Sequence, residues 1–384
     1  MNSKSRYAQE ALLANNVGYS IDRFGMVKLH ITSEYDLIGQ ISNCEKLVKD
    51  LVKAPGDLAV VKADKIRRRK YIHTNRLGNN FLQAMRSQVQ EIRLHFASHK
   101  FNPYFELFVT HVKARHLEEV VNYLNFLPND EEVYKWCDII NSCARSIVDE
   151  AESAVFKKKV NEFHNSANKN ERELRQHFKK LADGCDSVPL EVSRFDVTFR
   201  KPIDVPAIDI RMSYEDVKSY WANFIKYLNK NLPSGCFIGY AWRLTSTLDS
   251  SFIYHFVTFV HPEKVPDNVI FDQAISIAWD AVTTGKGLVY DCRRINVPLD
   301  HPSPFRFKSC GIGMTNDPLV REGLEYAAFY MTQLDYHMKY SPSGNGRALG
   351  KSVLPTLKQS EPDRPKPKKK LKETVTGSNS ASLI

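Results

Sequence analysis

Ser251–His261 reads Ser-Phe-Ile-Tyr-His-Phe-Val-Thr-Phe-Val-His, rich in β-branched and aromatic residues and free of Gly and Pro. A run apolar on both alternating faces predicts a central strand covered on both sides. Alternation places Ile253, His255, Val257 and Phe259 on one face and Phe252, Tyr254, Phe256 and Val260 on the other. His255 is therefore one imidazole on an otherwise apolar face. Two readings are open: a core histidine hydrogen-bonded to a neighbour, or a metal ligand surviving from a two-histidine site.

With 384 residues, 42% of them hydrophobic, the chain can hold two cored domains. No stretch reaches the roughly 18 uninterrupted apolar residues that span a bilayer, and the N-terminus Met-Asn-Ser-Lys-Ser-Arg carries no apolar signal region. Cys44, Cys137, Cys143, Cys185, Cys236, Cys292 and Cys310 are dispersed without a C-x-x-C pair, which argues for free thiols in a reducing compartment and against a zinc knuckle. The expectation is a soluble, cytoplasmic protein with no membrane partner. The net charge is +10, and from Ser341 onward nine Lys or Arg face three Asp or Glu, leaving the body only about +4. A basic tail suits nucleic acid or an acidic membrane, or serves solubility alone.

Four segments are expected. Residues 1–75 are poorly defined, with a hairpin over Val17–Ile31 and an amphipathic helix over Leu37–Val52; the basic run Lys65–Lys70 reads as a solvated helix face or a phosphate contact. Residues 76–186 read as helical. One helix spans Phe81–Ala97, a second runs from Pro103 to Leu127, and a third starts at Asp130 and reaches toward Phe163; His164–Asn170, with three Asn, reads as a break before a last helix over Glu171–Leu181. Residues 187–345 give strands at Val192–Phe199, Cys236–Leu244, Ser251–His261, Leu288–Ile295 and Phe305–Met314, with helices from Ser213, Pro266 and Pro318. The order β-α-β-β-α-β-β-α predicts an α+β chain: a helical N-terminal region, then a mainly antiparallel sheet in the ferredoxin-like or RRM-like manner. Residues 346–384, rich in Ser, Pro, Lys and Gly, read as a disordered basic tail.

On the last helix, expected to run to about Lys339, Val320, Leu324, Ala327, Met331, Leu334 and Met338 form an apolar stripe. Tyr326, Tyr330, Gln333 and His337 share the flank beside it; the plain reading puts the tyrosine hydroxyls in water at the core's border. Taken together, Ile253-Tyr254-His255, the run Lys308-Ser309-Cys310-Gly311-Ile312-Gly313-Met314-Thr315, Tyr330-Met331-Thr332-Gln333, Arg194-Phe195-Asp196-Val197 and Gly239-Tyr240-Ala241-Trp242-Arg243 resemble the YagK/YfjJ-type domain of the inovirus-type gene-II-like proteins. The resemblance covers about residues 187–350, and Cys-Gly-Ile-Gly-Met is its most specific motif.

The resemblance implies an HUH-type rolling-circle replication initiator acting on DNA, expected single-stranded. In such a protein a His-x-His pair holds a divalent metal, Mg or Mn, that polarises the scissile phosphate, and a helix tyrosine attacks it. Tyrosine, a weak nucleophile near pKa 10, needs that activation. By position, Tyr330 is the implied nucleophile, Tyr326 its substitute one turn away, and His255 the metal ligand. The chain departs from the pattern at three places: Ile253 stands where the first histidine belongs, Gln333 where a lysine belongs, and Thr245 and Ser246 where an acidic ligand often lies. His261, Asp196 or His301 could replace the missing ligand. Three functions follow: an initiator-like protein with a degenerate site; a non-catalytic DNA-binding or regulatory module of an integrated element, with Tyr240, Trp242, Tyr254 and Phe256 as stacking surface or as sheet–helix core; or a decayed prophage product without activity.

Overall fold

The computed structural model describes residues 17–21, 27–31, 34–64, 66, 69–122, 124, 129–185, 188–200, 212–247, 251–266, 270–292, 311–342 and 346–354. In chain order these form β1 (Val17–Ile21), β2 (Val27–Ile31), α1 (Glu34–Lys53), β3 (Ala59–Asp64), β4 (Arg69–Thr74), α2 (Arg76–Met85), α3 (Val89–His95), β5 (His99–Phe101), α4 (Pro103–Ala114), α5 (Leu117–Val120), α6 (Asp130–Glu152) and α7 (Ala154–Asp183). There follow β6 (Pro189–Phe199), α8 (Tyr214–Asn231), β7 (Phe237–Thr247), β8 (Ser251–Val260), α9 (Phe271–Val282), β9 (Gly287–Asp291), β10 (Gly311–Met314), α10 (Pro318–Gln333), β11 (Met338–Tyr340) and β12 (Leu349–Lys351). The chain is α+β, a mainly helical region preceding a sheet whose described pairings are all antiparallel. Among the described residues no helix is long and apolar enough to cross a membrane. Cys310, His301, the Pro298–Pro304 loop, Lys65, Arg67 and Arg68 of the basic run, and the tail beyond Leu354 lie outside the described residues.

β8 is central, in the order β10-β6-β8-β7-β12 with β9 also on β6. Both faces are covered, as its two-sided apolar pattern requires. Phe252, Tyr254, Phe256 and Val260 pack with Trp221 and Phe224 of α8 and Ile275 and Trp279 of α9. Trp221 stacks on Tyr254 with ring centroids 4.1 Å apart, and the Trp279 indole donates to the Thr198 carbonyl at 2.6 Å. Tyr240, Trp242, Tyr254 and Phe256 therefore belong to the sheet–helix core and offer no open stacking platform. Val257 and Phe259, on the opposite face, pack under α7 and α10.

Several helix boundaries differ from the sequence reading, each for a local reason. The helix expected over Phe81–Ala97 is two, because the Gln40 side chain accepts from the Gln88 amide (2.8 Å) at the break. The second expected helix stops at Ala114, where His116 adopts φ 51°. The third stops at Glu152, since extended Ser153 caps a new helix by accepting from Phe156 N at 3.1 Å. The break expected at His164–Asn170 is absent: α7 runs unbroken through it. Asparagine costs a helix only a few tenths of a kcal/mol, and here Asn168 accepts from the Tyr336 hydroxyl (2.6 Å) while Asn170 donates to Asp335 (3.2 Å). Part of the expected solvated helix face is the β3–β4 hairpin instead.

The C-terminal segment joins the two regions. The apolar stripe of the last helix divides, with Val320, Leu324, Ala327 and Met331 packing on the sheet and Leu334 and Met338 entering the N-terminal helical core. The helix ends at Gln333; β11 pairs with β5, and Asn102 Nδ2 donates to the Tyr336 carbonyl at 2.7 Å. Residues 346–354 do not belong to an unstructured tail, because β12 adds a strand to β7. Gly350 lies opposite Trp242, where a Cβ would meet the indole at 2.5 Å. The described residues up to Leu354 belong to one compact unit.

Candidate functional site

Antiparallel register sets Tyr290, Asp196, His255 and Arg243 side by side across β9, β6, β8 and β7. Directly opposed residues share a face, so this is one polar row on the side covered by α10. Arg194, two residues before Asp196, lies on that face as well. Asp196 Oδ1 accepts from His255 Nδ1 at 2.7 Å, and Arg194 Nη2 lies 3.3 Å from both carboxylate oxygens. The carboxylate contact assigns the proton to Nδ1, leaving Nε2 to accept from the Thr245 hydroxyl at 3.2 Å.

α10 brings Tyr330 onto this row. Its hydroxyl accepts from Arg194 Nη2 and lies 3.3 Å from His255 Nδ1, while the Arg194 guanidinium sits 3.8 Å from the centre of its ring. Arg194, Asp196 and Tyr330 are 0% exposed and His255 is 1% exposed. A second ionic joint lies alongside: Arg243 donates to the Met331 carbonyl (2.7 Å) and to Asp335 (2.9 Å), which also accepts from Asn170. These contacts satisfy buried charges that would otherwise be costly. Burial pushes the His255 pKa down against the pull of Asp196, so the ring is neutral. Burial also raises Tyr330 well above the ordinary tyrosine value, despite the opposing Arg194 charge.

The sequence-predicted positions come together only in part. Tyr330 and His255 meet. Tyr326 is half-buried one turn earlier, and Gln333 is buried at the helix end. The tyrosine hydroxyls were expected in water, but Tyr330 is sealed because α10 is covered by the sheet beneath it and by α7 beside it. Asp196 is beside His255 as a replacement ligand would be, whereas His261 is six residues along the same strand direction, about 20 Å away.

The set fits a divalent metal poorly. Mg²⁺ and Mn²⁺ want several oxygen ligands in near-octahedral array. Here both imidazole nitrogens are hydrogen-bonded, and the Asp196 carboxylate already faces a guanidinium. Among the described residues no group of three or more His, Cys, Asp or Glu could hold a metal ion.

Sequence reasoning missed Arg194, Arg243 and Asp335 as members of the site. Arg and Asp alternating on a strand otherwise patterned like core is a readable signal for the first. The six described cysteines are buried and form no disulfide with one another. Compared with protein-family models, curated proteins and solved structures, the chain gives no significant match.

Proposed function

We propose that this is a DNA-binding protein of the HUH replication-initiator type in which the nicking constellation has become a buried structural joint. The observation that carries this reading is the sealed Tyr330 hydroxyl, held by Arg194 and beside His255. A nucleophile must be ionised and reach its phosphate; this phenol is fully buried and its ionisation is strongly disfavoured. Arg194 occupies with a fixed charge the place beside Asp196 and His255 where the family would bind a metal. The path β6-α8-β7-β8-α9-β9, with spatial order β9-β6-β8-β7, supports the ferredoxin-like core such a domain requires. The net charge of +10 supports a polyanionic partner.

A second reading keeps catalysis, and one contact favours it: the family's tyrosine and histidine positions lie 3.3 Å apart. A labelled single-stranded oligonucleotide incubated with Mg²⁺ or Mn²⁺ and resolved by denaturing electrophoresis separates the two. Wild type and Ile253→His are expected to form no covalent adduct while still binding the oligonucleotide. An adduct lost in Tyr330→Phe and retained in Tyr326→Phe would establish the catalytic reading.

A further inference from the structure

The outer face of α7 is a second feature that the buried joint does not use. Its inner face is spent on the protein: Phe156 and Val160 enter the N-terminal core, and Leu174, Phe178 and Leu181 enter the core under the sheet. Of the exposed side chains between Lys157 and Lys180, seven are cationic and one, Glu162, is acidic; the rest are Asn161, Asn165, Ser166, Asn168 and Gln176. The cations fall in three groups, Lys157–Lys159, Lys169 with Arg172, and Lys179 with Lys180. The acids that would neutralise them are mostly turned aside: Glu171 bonds Arg175 and Tyr336, and Glu173 pairs with Lys351 at 3.1 Å. Lys179 is tied to Asp183 at 2.7 Å, and Lys169 lies 4.0 Å from Glu173.

We infer that this face tracks the phosphodiester backbone of DNA. From Lys157 to Lys180 the helix is about 35 Å long at 1.5 Å per residue, close to one turn of duplex, roughly 34–36 Å. Amides interleaved with cations are phosphate donors that position a backbone without reading sequence. An acidic membrane is the poorer fit, because a surface-bound helix inserts an apolar face into the lipid and the apolar face here is occupied by protein. Between Lys157 and Lys180 no apolar side chain is exposed.

This inference rests on the DNA-binding reading, and the experiment separates their failures. Fluorescently labelled random-sequence duplex and its single strand are titrated with full-length protein across a salt series. The test variant replaces Lys157, Lys158, Lys159, Lys169 and Arg172 with Gln. A charge-matched control replaces the exposed Lys46, Lys53, Lys62, Arg86 and Lys113 with Gln. The test variant is expected to bind more than about tenfold more weakly at low salt and to lose about 2–4 from the log–log salt slope, each phosphate contact contributing roughly 0.7–0.9. The control is expected to keep the wild-type slope, with both variants unfolding at the wild-type urea midpoint. A larger loss on duplex than on single strand would make the duplex the natural ligand, and the reverse would make it the single strand. Wild-type DNA binding with equal slopes in the two variants would overturn the α7 surface and leave the DNA reading standing. No binding by wild type would overturn both. Sedimentation with anionic vesicles, abolished in the test variant while DNA binding persists, would assign the face to membrane and also overturn the inference.

Discussion

Arg194→Met is expected to cost about 3–5 kcal/mol of stability near pH 8, because removing one partner of a buried ion pair strands the other. Asp196 would remain fully buried beside a neutral imidazole. The loss should shrink on acidification. With the guanidinium gone, a protonated His255 is the nearest replacement for its charge, so the imidazole pKa in the folded variant should rise above its unfolded value. A raised folded pKa contributes stability that is present below the unfolded pKa and lost as pH rises through the folded one. Urea midpoints for wild type and variant near pH 8 and pH 6 test this. Adding Asp196→Leu should recover at least half of the loss, as apolar replacement of a whole buried pair often does. A loss under about 1 kcal/mol at both pH values would mean that Arg194 is not an ionic keystone.

His99 supplies the second large effect. Its ring is boxed between Phe96 and Tyr340 with centroids 5.3 Å away on each side. Burial, with the Arg243 charge nearby, lowers its pKa from 6.5 to about 3. Between those two values the unfolded chain binds a proton that the folded chain refuses. Stability therefore falls as pH drops below about 6.5, at up to roughly 1.4 kcal/mol per pH unit. His99→Phe keeps the aromatic packing and removes the titration. Moving from about pH 7 to pH 4.5, the variant should gain about 2 kcal/mol relative to wild type, read from paired urea curves. The acid dependence left by His177, lowered to about 4 chiefly by burial, should persist in both. Parallel curves would show that His99 opens to solvent before it is protonated.

What was legible in the sequence was pattern that local physics enforces. β8 announced its central place because a strand covered on both sides must be apolar on both. The α8 start was legible because Ser213 and Asp216 form a reciprocal cap. Less legible was anything decided by partners distant in sequence. The asparagines of α7 read as a break until Tyr336 and Asp335 supply their hydrogen bonds. The last helix read as continuing to Lys339 until β5 pairs with the segment that follows it. Tyr330 read as a border residue because a helix flank does not reveal how far neighbouring elements wrap around it. His255 was singled out correctly as an anomaly, but its meaning lay in Asp196 and Arg243, which only register brings alongside.

The buried joint requires a sealed Tyr330 hydroxyl, and phenolate absorbance measures that burial directly. Wild type and Tyr330→Phe are titrated through the ordinary tyrosine range in native buffer, and the difference between the two curves isolates Tyr330. A sealed hydroxyl held above its usual value of 10.0 by burial predicts a flat difference until the protein unfolds at high pH, then an abrupt rise of one tyrosine. A smooth difference titrating near pH 10 in folded protein would place the hydroxyl in solvent and contradict the joint.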